Sequence, residues 1–287
     1  MKFSPYIKLL TILKSFFYGL DLKGTKKTVK DNNFDAIIKF LLEKKEKKNQ
    51  VYFDIGANTG QSIKRFKKLN PLCRIHAFEP TPATFRDLEE NFSKDASVKL
   101  NNLAVSNSKG KLNFFTYKHS KINSYERVDN KTKFSKSRII ASNSKEDDFE
   151  KKIEVDATTI DDYCAENNIN EIDLIKIDTQ GSEADILAGM KKIIENEKVS
   201  IIEIEIILGF AYEKKSSFYD YEKFLNNNNY KLIALDKAGN IISYSNYQTN
   251  LLYVKKDIFD SIRKMHEKNV SIKGITNKSD ETHPFSY

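Results

Sequence analysis

The chain has 287 residues, enough for one large α/β domain with a sizeable core and small additions at its ends. Hydrophobic residues make up 39% of it, which excludes a disordered chain. The net charge of +8 comes mostly from lysine. Arginine is scarce and no arginine cluster with interleaved aromatics stands out, so no nucleic-acid partner is expected.

In chain order, the first apolar segment is residues 4–22. Ile7, Leu10, Leu13, Phe16 and Phe17 fall on one helical face, which predicts a helix docked on the domain, with peripheral membrane contact as the alternative. Lys8 and Lys14 interrupt it, so neither a signal peptide nor an integral span is expected, and no stretch reaches the ~20 apolar residues a span needs. A second helix is predicted from Asp31, its N-cap, to about Lys47, with Phe34, Ile37, Ile38, Leu41 and Leu42 on one face.

The period then changes. Val51–Gly56 reads as a buried strand ending in a turn, Thr59–Lys68 as a helix, Arg74–Glu79 as a strand stopped by Pro80, Thr81–Phe92 as a helix and Val98–Val105 as a third strand. This alternation predicts a parallel sheet with helices on both faces. An apolar run, Lys111–Tyr117, is expected to pair with Ile153–Ala157 across a long polar insertion, 118–151. A short helix (Thr159–Asn167) follows, then a strand (Asp173–Asp178), a helix (Glu183–Glu195), a strand (Val199–Ile207) and a helix (Tyr219–Asn227). Two last strands, Tyr230–Asp236 and Leu251–Lys255, flank a turn at Lys237–Asn240. A closing helix, Ile258–His266, leads into a polar tail. The expected organisation is N-terminal helices over 1–48, one domain over 49–256, and a C-terminal helix and tail over 257–287.

Asp54-Ile55-Gly56-Ala57-Asn58-Thr59-Gly60 sits at a strand-to-helix junction, where a Rossmann-like fold binds its ligand. Gly56 and Gly60 permit a tight turn. Glu79, at the end of the next strand, can accept hydrogen bonds from both hydroxyls of a ribose. A dinucleotide site needs Gly-x-Gly-x-x-Gly to bring a pyrophosphate onto the helix N-terminus. Here the pattern is Gly56-x-x-x-Gly60, and the Asp54 carboxylate would repel a phosphate. S-adenosyl-L-methionine carries an ammonium and a sulfonium, so an acidic strand end favours it.

With these residues in place, a resemblance follows. Asp54 to Gly60, Phe78-Glu79-Pro80, Asn102-Leu103-Ala104-Val105-Ser106 and Lys176-Ile177-Asp178-Thr179-Gln180-Gly181-Ser182-Glu183 resemble, in order and spacing, the FkbM family of methyltransferases. The resemblance covers about residues 50–210. It implies a Rossmann-like class I methyltransferase fold, with a mostly parallel seven-stranded sheet and a C-terminal antiparallel hairpin. It also implies S-adenosyl-L-methionine as cofactor and a hydroxyl of a sugar or polyketide-type acceptor. Carried onto these blocks, the cofactor site comprises Asp54, Gly56, Ala57, Asn58 and Gly60 of the first, and Glu79 and Pro80 of the second. Asn102 and Ala104 of the third and Asp178 and Thr179 of the fourth complete it. The residue before Gly181 is often Glu in such proteins; here Gln180 removes that carboxylate.

Methyl transfer to a hydroxyl benefits from a base. Asp178 is the first candidate, with bracing of the Gly181 turn as its other role. Glu203 and Glu205 share a strand face and are the alternatives, either lining an acceptor pocket or pairing with lysines. Glu183 is expected to complement a helix dipole. His76, inside a strand, reads as a core histidine, and Asn123-Ser124 in the insertion is placed over the acceptor pocket or in an exposed turn. Cys73 and Cys164 form no Cys-x-x-Cys pair and suit a reducing cytoplasm. The four histidines show no His-Glu-x-x-His spacing, so no metal is expected. The expected function is O-methylation of a carbohydrate. The alternatives are a non-sugar small molecule or a protein as acceptor, or a module that binds the cofactor without catalysis.

Overall fold

The structure, a computed structural model, describes residues 33–43, 46–117, 149–207, 218–235 and 248–272. The segment 4–22, Asp31, residues 118–148 of the insertion with Asn123-Ser124, the turn at Lys237–Asn240 and the polar tail lie outside the described residues. The chain divides into two units, one of residues 26–255 and one of residues 1–25 with 256–287. In the second, the described residues form one helix, Lys256–Ile272, longer at both ends than the periodicity predicts.

The first unit begins with α1 (Asn33–Leu42), whose Phe34, Ile37, Ile38 and Leu42 are buried. β1 (Val51–Ile55), α2 (Gln61–Leu69), β2 (Arg74–Phe78), α3 (Pro82–Phe92) and β3 (Val98–Asn101) follow. After the second sheet come α4 (Ile160–Glu166), β7 (Ile172–Ile177), α5 (Glu183–Ala188), α6 (Lys191–Glu195), β8 (Val199–Ile207), α7 (Phe218–Asn227), β9 (Tyr230–Leu235) and β10 (Gln248–Lys255). The main sheet is seven-stranded in the order β3-β2-β1-β7-β8-β10-β9. β3, β2, β1, β7 and β8 are parallel neighbours, and β10 runs antiparallel between β8 and β9. This is the expected Rossmann-like sheet of a class I methyltransferase with its antiparallel hairpin. The strand order reverses at β1/β7, and there the carboxyl ends of a doubly wound sheet open a crevice.

The two sheet faces differ in chemistry. On one, Phe53, Ile55, Ile175, Ile177, Ile202 and Ile204 pack with Ile160, Ile186, Ile194 and Leu225 of α4–α7 in one apolar core. On the other, the register aligns Tyr52 with Leu174 and Ile201, then Asp54 with Lys176 and Glu203. α2 lies on this second face. Its Ile63 and Phe66, three residues apart, are fully buried, and Phe66 meets the Tyr52 ring edge-on at 5.4 Å.

Two elements depart from expectation. The run Val98–Val105 is not one strand. It divides into β3 and a short β4 (Ala104–Val105), which joins β5 (Gly110–Tyr117) and β6 (Phe149–Thr158) in a separate sheet of order β4-β6-β5. The Asn102 amide turns the chain between them, donating to the Glu79 carbonyl at 2.8 Å and the Pro80 carbonyl at 3.1 Å. The expected pairing of 111–117 with 153–157 is the β5–β6 ladder. The helix expected over Glu183–Glu195 breaks into α5 and α6. Gly189 at the break presses against Ser106, whose carbonyl oxygen would stand 2.0 Å from any Cβ there. Asp161 of α4 starts the second piece, its carboxylate accepting from the amides of Lys192 and Ile193 at 2.9 Å each.

Candidate active site

The turn after β1 is held by its own amides. Gly56 and Ala57 donate to the Phe78 carbonyl at 3.0 and 2.9 Å, and Gly60 donates to the Ala57 carbonyl at 2.9 Å. Asn58 donates to the Glu79 carboxylate at 3.1 Å, and Thr59 to the Asn58 side chain at 2.8 Å. Five successive amides are thus already hydrogen-bonded, so this turn presents no cradle of free N–H groups to a pyrophosphate. Gly56 adopts a φ of 87°, and a Cβ there would stand 2.0 Å from the Asp178 carbonyl oxygen. The turn and the end of β7 are therefore in backbone contact. Gly60, with a φ of 95°, makes room instead for Phe92 of α3. Its small size serves helix packing.

Glu79 is buried, with one oxygen on the Asn58 amide and the other on the Thr81 amide at 2.9 Å. Burial pushes its pKa up, and those two amides oppose the shift. A carboxylate oxygen has lone pairs for more than one donor, so each can still accept a hydroxyl.

Asp54 is fully buried, and neither of its oxygens has a hydrogen-bond partner among the described residues. Burial pushes its pKa up to about 7. The Lys176 ammonium pulls it down, while Asp178 and Glu203 push it further up. Lys176, buried in β7, bonds Asp178 at 2.6 Å. Its own desolvation is outweighed by Asp178, Asp54 and Glu203, which hold it protonated. Burial alone would raise Asp178; the Lys176 ammonium and its hydrogen bonds reverse this and hold the carboxyl below the usual range. Gln180 bridges two acids, its amide donating to Asp178 at 3.0 Å and to Glu205 at 2.7 Å.

Two expected roles are reassigned by the geometry. The Gly181 turn is braced by Glu183, which accepts from the amides of Thr179 and Gly181 at 3.1 Å each and from the Thr179 hydroxyl at 3.2 Å. Asp178 is thereby left to Lys176, Glu205 and Gln180. Glu203 pairs with an arginine rather than a lysine: Arg65 Nη1 binds both its oxygens at 2.8 Å. Arg65 is in turn held by Asp35 of α1 at 2.5 Å. Sequence reasoning missed Arg65, which reads locally as one more cation beside Lys64, Lys67 and Lys68. His76 lies apart from these groups, its Nδ1 2.9 Å from the Tyr163 hydroxyl, and burial with Lys99 and Arg74 lowers its pKa to about 4. Glu205 stands opposite Asn250 in the β8–β10 ladder.

Besides both Asp54 oxygens, Arg65 Nη2 and Asn250 Oδ1 are buried without a hydrogen-bond partner among the described residues. Among the described residues, no group of three or more His, Cys, Asp or Glu side chains is arranged to hold a metal ion, and no helix is long and apolar enough to cross a membrane.

Residues 54–232 match the family described as Methyltransferase FkbM domain. The chain is similar to 2-O-methyltransferase NoeI of Sinorhizobium fredii, at 30% identity over 147 residues, covering 51% of this chain and 60% of that protein. It is similar to 31-O-demethyl-FK506 methyltransferase FkbM of Streptomyces tacrolimicus, at 29% identity over 154 residues, covering 49% and 59%. The matches thus span about three fifths of the length of these relatives. Among solved structures, a precorrin-6y C5,15-methyltransferase from Geobacter metallireducens aligns at a TM-score of 0.40 and 13% identity, over 82% of this chain and 94% of that one. The family and the fold imply S-adenosyl-L-methionine as cofactor. The site fits it: an orphaned buried carboxylate suits a cationic ligand, and the engaged turn amides suit one without phosphate.

Proposed function

The chain belongs to the FkbM methyltransferase domain family, and from that premise we propose that it moves a methyl group from S-adenosyl-L-methionine to a hydroxyl oxygen, in the first instance of a carbohydrate. The observation that carries the reading is the pair of carboxylates at the β1/β7 crevice. Asp54 is buried and lacks a partner, while Asp178 is paired and 29% exposed. The first is built for a bound cation, the second for an encounter with an incoming hydroxyl.

Bound in the crevice, S-adenosyl-L-methionine would supply the methyl group from a sulfonium, the bonding pair remaining on sulfur. Asp54 balances the ammonium end, with Gly56, Ala57 and Asn58 shaping the turn beside it and Gly60 setting the helix that follows. Glu79 accepts from the ribose hydroxyls, and Pro80 and Asn102 line the adenosine side, while Ala104 is buried in the core of the second sheet with Phe114, Val155 and Ala157. Thr179 closes the crevice next to Gly56. Asp178 takes the proton that the acceptor hydroxyl gives up. Of the three candidate bases, Glu203 suits that role least, because Arg65 holds both its oxygens and its side chain is 4% exposed. Glu205, tied to Asp178 through Gln180, orients the acceptor.

Oxygen as the acceptor atom is supported by the two relatives named for O-methyl chemistry. The amide and carboxylate rim of Asp178, Gln180, Glu205 and Asn250 favours a hydroxyl-rich molecule. Two buried free thiols, Cys73 and Cys164, support a reducing, cytoplasmic setting. Residues 49–256 form the catalytic domain in this reading, and residues 4–22 remain a candidate for peripheral membrane contact.

Turnover with radiolabelled cofactor on Asp178→Asn, Glu203→Gln and Glu205→Gln, beside S-adenosylhomocysteine affinity, tests the assignment. Asp178→Asn should lower the rate by ~100-fold or more with cofactor affinity little changed. Near-normal turnover in that variant would move the base to a glutamate. Label appearing in peptides and not in sugars would overturn the acceptor class.

A further inference from the structure

We propose that Arg65 is a positioning residue of this site: by binding both oxygens of Glu203 it reserves the Lys176 ammonium for Asp178. This rests on the reading of Asp178 as the base.

The register places Lys176 between Asp54 on β1 and Glu203 on β8, all on one sheet face. A buried ammonium flanked by carboxylates on either side, with Asp178 two residues along its own strand, has three anions to choose from. It bonds Asp178, at 2.6 Å. Glu203 does not compete, because Arg65 Nη1 satisfies each of its oxygens at 2.8 Å. A buried carboxylate deprived of its cation is strongly destabilised and takes whatever cation is near. In this layer the other cation is Lys176. Arg65 suits the task because its guanidinium stays charged and its Nη1 reaches both carboxylate oxygens. Asp35 holds the guanidinium through Nε at 2.5 Å, so α1, which precedes the matched residues 54–232, is part of the positioning machinery.

The charged groups around Asp178 are Lys176 on its own strand, Asp54 on β1, Glu203 and Glu205 on β8, Glu183 on α5 and, behind Glu203, Arg65 on α2. Only Lys176 among them is a cation in direct contact with Asp178. If its ammonium is shared with Glu203, Asp178 loses both orientation and the charge that keeps it ionised.

The test compares the full-length chain with Arg65→Met, with the double variant Arg65→Met/Glu203→Met and with Asp178→Asn. It reads the pH dependence of turnover at saturating cofactor and, independently, the titration of the Asp178 carboxyl carbon by NMR, with Asp178→Asn identifying the resonance. Arg65→Met should slow turnover on the order of 10- to 100-fold, as expected for a misplaced reacting group. It should also move both the acidic limb and the carbon titration to higher pH. The double variant should recover both, since no carboxylate is left at position 203 to compete. A folded Arg65→Met with an unmoved limb and an unmoved titration overturns the proposal. So does a double variant no better than the single one, which would make Arg65 a structural tie alone. Where Arg65→Met does not fold, the apolar pair decides: a wild-type Asp178 titration supports the proposal, and a displaced one overturns it. Should Asp178→Asn turn over normally while Arg65→Met still displaces the titration, the base assignment fails and the positioning of Lys176 stands.

Discussion

Asp54 gives the most direct test of how this site is built. Its carboxylate is fully buried, without a hydrogen bond to either oxygen among the described residues, and burial lifts its pKa from 3.8 to about 7 against the pull of Lys176. At about 1.4 kcal/mol per pH unit, ionising it costs the folded protein roughly 4 kcal/mol relative to the unfolded chain. The sign follows from a raised acid pKa. The contribution to stability is full below the unfolded value, declines as pH rises from 3.8, and is lost once pH passes about 7. Asp54→Asn should therefore melt higher than the parent above neutral pH in the absence of cofactor, and no higher near about pH 4.

A cation placed against Asp54 favours its ionised form, so binding must expel the proton that the group carries. Near pH 7 that is about half a proton per cofactor, and close to one near about pH 6. Calorimetry with S-adenosylhomocysteine, which keeps the ammonium, in buffers of different ionisation heat counts these protons directly. Asp54→Asn should bind more weakly and release none. Identical heats in every buffer near pH 6 would refute the reasoning, because Asp54 would then not change its protonation on binding.

Two further outcomes follow from the same geometry. Glu79→Ala should weaken S-adenosylhomocysteine binding by roughly 2–4 kcal/mol in titration calorimetry, through the loss of a charged acceptor for two hydroxyls. It should also lower the melting temperature, since the amides of Asn58 and Thr81 lose their partner. Gly60→Ala should destabilise the fold by roughly 2–4 kcal/mol in chemical denaturation, from the clash with Phe92 and a left-handed φ. Adding Phe92→Ala should recover only the part due to the clash, and a full recovery would show that the backbone carries no strain.

Much of the frame was legible because it rests on local period and strand ends. Val199–Ile207 occupies the predicted bounds, and Asp54, Glu79 and Asp178 lie where the periodicity puts them, at the carboxyl ends of three adjacent parallel strands. Features set by distant partners were not legible. Arg65 reads locally as one more cation in a lysine-rich helix, and its meaning lies in Glu203, 138 residues away. Gly60 reads as a ligand-facing glycine until Phe92 is seen against it. The break at Gly189 answers to Ser106 in another sheet, and Asn102 ends a strand through carbonyls on the far side of the turn. Glu183 looks like a first-turn acid beside a helix dipole. Its side chain instead reaches back over the turn before it, which helical spacing alone does not reveal.

The contrast between the two faces of the sheet bears on why such a charged layer persists. Buried ion pairs are generally no better for stability than well-packed apolar side chains, and the opposite face shows that this fold can be filled with isoleucine, leucine and phenylalanine. Among the described residues, Asp54, Glu203, Asp178 and Glu205 stand against Lys176 and Arg65 in this layer, so the crevice holds more acid than base. A phosphate would worsen that imbalance, and a neutral ligand would leave it in place. The sulfonium, which gives the donor one net positive charge beside its ammonium and carboxylate, offsets part of it. The same excess keeps Asp178 in competition for a single ammonium. The groups that favour a cationic methyl donor thus also set how firmly the base is held, and a change to either should register in the other.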